Sequence, residues 1–281
     1  MSVHDEAISG SNYTRLCELI YREAGIRLGS DKRTMLEVRI KRRLKALDIE
    51  SYGGYCDYLF GREGMQAELI HLIDVVTTNK TDFFREPGHF SYLVEKALPE
   101  LTARGDGGRP LLVWSAGCST GEEPYTLAIV LSEYALSHPG FRFRILATDI
   151  STTVLAKAEM GVYSDDTVNP VLSALRRKYF MRSRDARSDR MRVVPELRRL
   201  VEFRRLNFMD DDFGIADKAD AIFCRNVIIY FDKETQRNLF ARIAPLQRPG
   251  DLLFLGHSES LFKVSDAYAL LGRTAYRRIA A

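Results

Sequence analysis

The residues best suited to chemistry sit where apolar runs end. One such run, LLVWSA (111–116), passes through Gly117, Ser119 and Gly121 into the helix-like stretch that begins at Glu122 or Pro124. A strand, a glycine-bearing turn and a helix make the ligand loop of open parallel sheets. A pyrophosphate would call for G-x-G-x-x-G at this turn. That spacing is absent, and two acids, Glu122 and Glu123, stand in its place. They would repel a phosphate and suit a cation; their other reading is that they only favour the helix dipole. The next apolar run ends in ATDIS (147–151), and an acid at a second strand end is the usual partner of a ribose diol, which singles out Asp149. Asp149 could instead cap the following helix, a task open also to Ser151 or Thr152. Two more run ends carry Asn207-Phe208 and Asn226 with Tyr230. Asn207 offers an amide to an adenine edge, and Phe208 a ring to pack on the base. Asn226 and Tyr230, four apart, face one crevice if that segment is helical. A nucleoside bearing positive charge fits this set, and S-adenosylmethionine, with its sulfonium and ammonium, is one.

Placing these groups requires a sheet, and the chain has the pattern for it. From residue 91 onward, apolar runs at 111–115, 142–148, 200–206, 219–224 and 252–255 alternate with helical patterns at 122–136, 153–160 and 233–246. Continuous apolar strands separated by helices predict a parallel sheet covered on both faces. A helix over 92–104 and the turn Gly105-Asp106-Gly107-Gly108 precede it, and a hairpin turning near Gly272 closes it. The interval 162–200 is too long for a plain crossover and contains a strand-like run at 191–194, which predicts a small inserted β-subdomain. Residues 1–75 read as a helical domain. Leu16, Leu19, Ile20 and Ala24 define one face, and Leu36, Ile40, Leu44 and Leu47 a second, its helix capped by Asp31. Ser51-Tyr52-Gly53-Gly54 reads as a break before a third helix over 65–75, with Leu69, Leu72 and Ile73 on one side. Residues 76–90 have no period and read as a linker to the domain at 91–281.

Composition narrows the class. With 46% hydrophobic and 28% charged residues, the 281-residue chain can bury a core without disulfide or metal staples. The amino terminus has no signal-peptide pattern, and no apolar run approaches the roughly 18 residues of a membrane span. Cys17, Cys56, Cys118 and Cys224 form no C-x-x-C pair and have no histidine at ligand spacing, so no metal site and no disulfide framework are expected. A reducing cytoplasm is the expected compartment, and a monomer the default state. Net charge is only +3, but basic residues cluster at 41–45 and from Arg176 to Arg205, which suits nucleic acid or an acidic protein.

The runs TTNKTDFFRE (77–86), STGEEPY (119–125), ATDIS (147–151), FCRNVIIYFD (223–232) and GHSES (256–260) together resemble the CheR family of chemotaxis receptor methyltransferases, over nearly the whole chain. The resemblance implies a small helical domain followed by a linker and a Rossmann-like, S-adenosylmethionine-dependent methyltransferase α/β domain with an inserted β-subdomain. It implies esterification of glutamate side chains on the cytoplasmic domain of chemoreceptors, with S-adenosylhomocysteine as product. Carried over by motif, Asn79, Thr81 and Arg85 of the linker contact the cofactor. Glu123, rather than Glu122, holds its amino-acid portion, Asp149 its ribose, and Asn207-Phe208 its adenine. Arg225, Asn226 and Tyr230 complete the site near the methyl group, with Arg85 and Tyr230 as the catalytic pair.

The resemblance also suggests a partner for one basic face. Arg39, Arg42 and Arg43, at i, i+3 and i+4, form a stripe opposite the apolar positions, suited to glutamate-rich receptor helices. Some family members tether a receptor peptide on the β-subdomain through a glycine-bearing loop; the loop here, SRDARSDR (183–190), has no glycine, so tethering is not implied. His257 gets no role. A nicotinamide oxidoreductase is disfavoured by the absent G-x-G-x-x-G. A nucleic-acid methyltransferase is disfavoured by the absence of an N-P-P-Y/F signature, so no nucleic-acid partner is expected. The remaining alternative is a non-catalytic S-adenosylmethionine-binding signalling module.

Overall fold

A computed structural model of the chain describes residues 7–104, 108–185 and 187–279; the 105–107 part of the predicted turn and Ala186 of the 183–190 loop lie outside them. The amino-terminal region is four helices: α1 (Gly10–Ala24), α2 (Arg33–Leu47), α3 (Tyr52–Leu59) and α4 (Arg62–Val76). Ser9 caps α1 by accepting from Asn12 N, and Gly25 ends it in the left-handed region. The apolar faces of these helices meet in their own core, where Leu16, Ile20, Leu36, Ile40 and Leu72 are fully buried.

Two expectations fail here. Ser51-Tyr52-Gly53-Gly54 is no break: Ser51 caps α3 by accepting from Gly54 N at 3.0 Å, and both glycines lie inside the helix. Capping outweighs the cost of glycine because Tyr55, Cys56 and Leu59 pack behind it. Asp31 does not cap α2; it sits in a 3-10 turn, Ser30–Lys32, that leads into the helix.

The larger domain opens with a long helical stretch made of α5 (Gly88–Tyr92), a π-helical turn (Leu93–Ala97) and α6 (Leu98–Ala103). It continues through β1 (Leu111–Ala116), α7 (Glu122–Ser137), β2 (Phe143–Asp149) and α8 (Thr152–Met160). The 162–200 interval holds β3 (Val162–Ser164), α9 (Asp165–Val168), α10 (Ser173–Tyr179), β4 (Phe180–Arg182), β5 (Arg190–Val193) and α11 (Pro195–Arg198). Its strands form a separate antiparallel sheet in the order β3-β5-β4. The chain then returns through β6 (Val201–Arg205), β7 (Ala221–Cys224), α12 (Lys233–Ile243) and β8 (Leu252–Leu255), and ends in the hairpin β9 (Tyr268–Gly272) and β10 (Ala275–Arg278).

The main sheet runs β6-β2-β1-β7-β8-β10-β9, parallel through β8 and closed by the antiparallel hairpin. Alternation along β1 sends Val113 to one face and Leu112 and Trp114 to the other, so each face nucleates a separate core. Among the described residues no helix is long and apolar enough to cross a membrane.

Candidate active site

The carboxyl ends of β1, β2, β6 and β7 share one edge, where ligands bind in open parallel sheets. A cavity of about 360 Å³ lies there. Asn79, Thr81, Arg85, Glu123, Asp149, Asn207, Phe208, Arg225, Asn226 and Tyr230, which come from five separate stretches of sequence, all line it. Glu122 does not; its buried carboxylate accepts from Thr120 Oγ1 at 2.7 Å beneath the loop.

The loop after β1 brings its backbone close to the cavity through Gly117, at φ +88°, where a Cβ would come 2.5 Å from Val227 Cγ2. Asp149 Oδ2 accepts from Ser119 N at 2.8 Å and Oδ1 from Ser151 N at 3.0 Å, so the carboxylate both pins this loop and faces the cavity. The cap of α8 is Ser151, not Asp149. Burial pushes the Asp149 carboxyl up, and the two N–H donors pull it part of the way back. Glu123, with its side chain 13% exposed, accepts from Ser115 Oγ at 2.7 Å and from Arg225 Nη1 at 3.1 Å. Burial raises its carboxyl as well, against the pull of Arg225.

Arg225 lines the cavity with its guanidinium already paired to the protein. Its side chain is 2% exposed and bridges Glu123 and Glu86, while Nη2 also donates to the carbonyl of Arg85. The guanidinium thereby ties the end of β7 to the linker and to α7. Its fork is engaged by two carboxylates and a carbonyl. Asn207 also lines the cavity, and its amide joins the two domains: Nδ2 donates to Glu23 O at 2.6 Å and Oδ1 accepts from Met209 N at 3.0 Å. Phe208 packs edge-on to Trp114 and Phe231 on the cavity wall.

The turn from Asn226 to Tyr230 is held from below by Glu259. This buried carboxylate accepts from the N–H groups of Asn226 (2.7 Å), Ile228 (2.9 Å) and Gly256 (2.6 Å). Asn226 itself sits at φ +59°. Phe84 (φ +54°), Glu86 (φ +56°) and Ser119 (φ +50°) are also left-handed, so strained non-glycine residues gather around the cavity. A 3-10 turn over Ile228–Tyr230 places Asn226 and Tyr230 on the same wall. The linker, lacking any period, is anchored by its aromatics. Phe83 is buried edge-on against Tyr163 and Phe180 of the inserted subdomain, and Phe84 N donates to Thr126 Oγ1 at 3.1 Å.

The helical domain forms the remaining wall, which sequence reasoning did not anticipate. Ala24, Ile26, Leu28 and Met35 line the cavity, and Arg27 and Lys32 add charge beside Lys80 and Arg85. The domain is fastened by Arg27 N to Tyr230 O (3.1 Å), by Tyr21 Oη to Asp232 Oδ2 (2.6 Å), and by Asp74, which accepts from Thr152 N, Thr152 Oγ1 and Thr153 Oγ1 at 2.8–2.9 Å. The signal was present in the apolar pair Ile26 and Leu28, placed after a helix end and belonging to neither helical face.

The basic stripe on α2 is largely spent inside the domain. Arg43 forms a bidentate pair with the buried Glu68 (2.8 and 2.9 Å), which Tyr55 Oη also approaches at 3.0 Å. Arg39 donates to the carbonyls of Val76 and Thr77 and to Thr78 Oγ1, fixing the start of the linker. Only Arg42 of the three is exposed. The expected free stripe is thus one arginine wide, because α4 packs its backbone carbonyls and one acid against the other two.

A Rossmann-like sheet, a glycine-relaxed loop, and two half-buried carboxylates, one at the end of β2 and one in the first turn of α7, are the site of an S-adenosylmethionine-dependent methyltransferase. The donor set fits that cofactor, since Glu123 and Asp149 present anions to a cavity whose wall also offers the apolar surfaces of Phe208, Leu206, Ile150 and Met35. Residues 79–277 match the model of the CheR methyltransferase, SAM binding domain, and residues 11–77 that of the CheR methyltransferase, all-alpha domain. The chain belongs to the CheR methyltransferase family. It is 41% identical over 270 residues to the chemotaxis protein methyltransferase of Salmonella typhimurium, covering 96% of this chain and 91% of that protein. It is 41% identical over 265 residues to chemotaxis protein methyltransferase 2 of Pseudomonas aeruginosa (94% and 92%), and 38% identical over 270 residues to the chemotaxis protein methyltransferase of Escherichia coli (96% and 91%).

Proposed function

We propose that the chain methylates glutamate side chains on the cytoplasmic domain of chemoreceptors, in the cytoplasm, yielding methyl esters and S-adenosylhomocysteine. The observation that carries this reading is the pairing of two carboxylates, Glu123 and Asp149, on the cavity wall with the basic group Arg27, Lys32, Lys80 and Arg85 around it. The first suits a cationic cofactor and the second an anionic acceptor. When bound, the cofactor supplies an electrophilic methyl on a sulfonium. A glutamate carboxylate, with pKa about 4.3, is ionised at neutral pH and attacks without a general base. What remains for the protein is to align oxygen, methyl carbon and sulfur.

In this reading Glu123 takes the ammonium and Asp149 the ribose hydroxyls, with Asn79 and Thr81 closing over the cofactor from the linker. Asn207 and Phe208 shape the adenine end, Asn207 by holding α1 in place. Arg225 and Asn226 set the geometry beside the methyl, Tyr230 bounds its pocket, and Arg85 holds the acceptor carboxylate. The test is transfer of labelled methyl from S-adenosylmethionine to receptor cytoplasmic fragments. Base-labile label on glutamates supports the enzyme, whereas cofactor binding without transfer leaves a signalling module.

Arg42 is the exposed member of the basic stripe and the one available for an acidic receptor helix. Arg42→Glu is expected to slow receptor methylation by about threefold to tenfold at low ionic strength and to flatten its salt dependence. Initial rates across a salt series check this, and an unchanged rate removes α2 as a docking face. Arg43 is unsuitable for the same experiment, because its reversal would strand Glu68 in the core.

A further inference from the structure

Behind the cavity wall, three potential metal ligands meet that the sequence keeps far apart. Glu86 and His89 stand on the turn where the linker enters α5, and His257 follows β8. One ligand atom from each lies within 4.8 Å of the other two.

The histidine in the middle is poised in one tautomer. His89 Nε2 lies 2.7 Å from the carbonyl oxygen of Arg273, which can only accept, so Nε2 carries the ring proton and Nδ1 the lone pair. This is the second-shell arrangement that fixes metal-ligating histidines. His89 is 1% exposed, and Nδ1 has no hydrogen-bond partner among the described residues. Glu86 Oε2 stands 3.5 Å from it, an acceptor facing an acceptor. Something electropositive is therefore called for between the two atoms.

The spacing states what size. Two ligands about 2.1 Å from a tetrahedral zinc ion stand about 3.4 Å apart, close to the separation of His89 Nδ1 and Glu86 Oε2. His257 is exposed, its backbone N–H donates to Glu86 Oε1 at 3.2 Å, and its ring lies edge-on to that of His89 with centroids 5.2 Å apart. A small side-chain rotation brings it to the third vertex and leaves the fourth open to water. Charge permits it, because Arg225 offsets only one of Glu86 and Glu123.

We propose that Glu86, His89 and His257 bind a divalent transition-metal ion of the zinc class. Two imidazoles and one carboxylate suit such an ion better than magnesium or calcium, which prefer all-oxygen sets. Bound there, the ion clips the linker turn that carries Arg85 to the 256–259 loop whose Glu259 holds Asn226.

The test is calorimetric titration of Zn²⁺ into the full chain after chelator treatment, with Co²⁺ absorption as a second probe. One ion per chain is expected, with Co²⁺ bands of a nitrogen and oxygen set. His257→Ala, at an exposed position outside the cavity, is expected to weaken binding at least about tenfold. His71→Ala, an exposed histidine away from the cluster, is expected to leave it unchanged. Absent Zn²⁺ uptake overturns the proposal in favour of a bridging water. Uptake unaffected by His257→Ala, or a thiolate charge-transfer band, overturns it in favour of the cysteines. Neither measurement uses cofactor or receptor, so the result is independent of the methyl-transfer reading.

Discussion

Arg225→Ala is expected to abolish cofactor binding and to destabilise the fold by about 3–5 kcal/mol, the usual cost of stranding buried partners of a removed charge. The side chain is 2% exposed and is shared by Glu86 and Glu123, so its loss leaves two carboxylates to repel each other in a dry environment. It also releases the carbonyl of Arg85, which anchors the linker turn. For a chain of this size, a loss of this order lowers the thermal midpoint by roughly 10 °C. Arg225→Lys is expected to recover little, because an ammonium cannot span two carboxylates in a planar fork. The double variant Arg225→Met with Glu123→Gln should regain part of the stability but none of the cofactor affinity, since it removes the repulsion together with the ligand group. Thermal unfolding and cofactor titration on the same samples separate the two effects. Single-variant stability equal to that of the parent would refute the bridging role.

What made Arg225 hard to read is what made the sheet easy. The strands announce themselves through continuous apolar runs, each bounded by glycine or by a polar residue, because burial on both faces leaves no polar position within them. Asp149 was legible for a related reason, as an acid just past such a run; Glu122 and Glu123 were legible only as a pair of loop acids, and the resemblance alone preferred Glu123. Arg225 also follows an apolar run, yet its partners lie in the linker and in α7, 139 and 102 residues away. No local pattern encodes a bridge of that kind. The tie between Asn207 and the other domain was hidden for the same cause, since its amide partner Glu23 lies 184 residues away. The stripe on α2 shows the limit of helical spacing. Period alone separates an apolar face from a polar one, but it does not reveal that Glu68 and the carbonyls at the end of α4 consume two of the polar positions. His89 and His257 gave no signal at all, because ligand spacing is recognisable only when the ligands share a loop or a helix face. The linker itself showed as a stretch without period, but its part in the site was legible only through family resemblance, its position being set by Phe83 against the inserted subdomain.

Arg85→Ala is expected to lower kcat about 10–100-fold, the loss of one charge-assisted hydrogen bond worth about 1.5–3 kcal/mol in the transition state, while changing cofactor affinity far less. The guanidinium lines the cavity and is only partly buried. Its Nη1 donates to Lys80 O at 2.9 Å, the one hydrogen bond of its side chain among the described residues, and a guanidinium has five N–H groups. Arg225, with every face of its fork occupied, is a strut; Arg85, with its fork open, is the group free to receive an incoming carboxylate. A carboxylate held at a fixed angle is what an in-line displacement requires, and positioning of this kind acts on kcat more than on ground-state binding. Arg85→Lys keeps the charge but loses the bidentate geometry, so its rate should fall between those of the parent and the alanine variant. The discriminating measurement is the ratio of losses: cofactor affinity from titration against turnover at saturating cofactor. Equal losses in both would assign Arg85 to the carboxylate of the cofactor instead, and the acceptor would then have to be oriented by the remaining basic groups of the cavity, Arg27, Lys32 and Lys80.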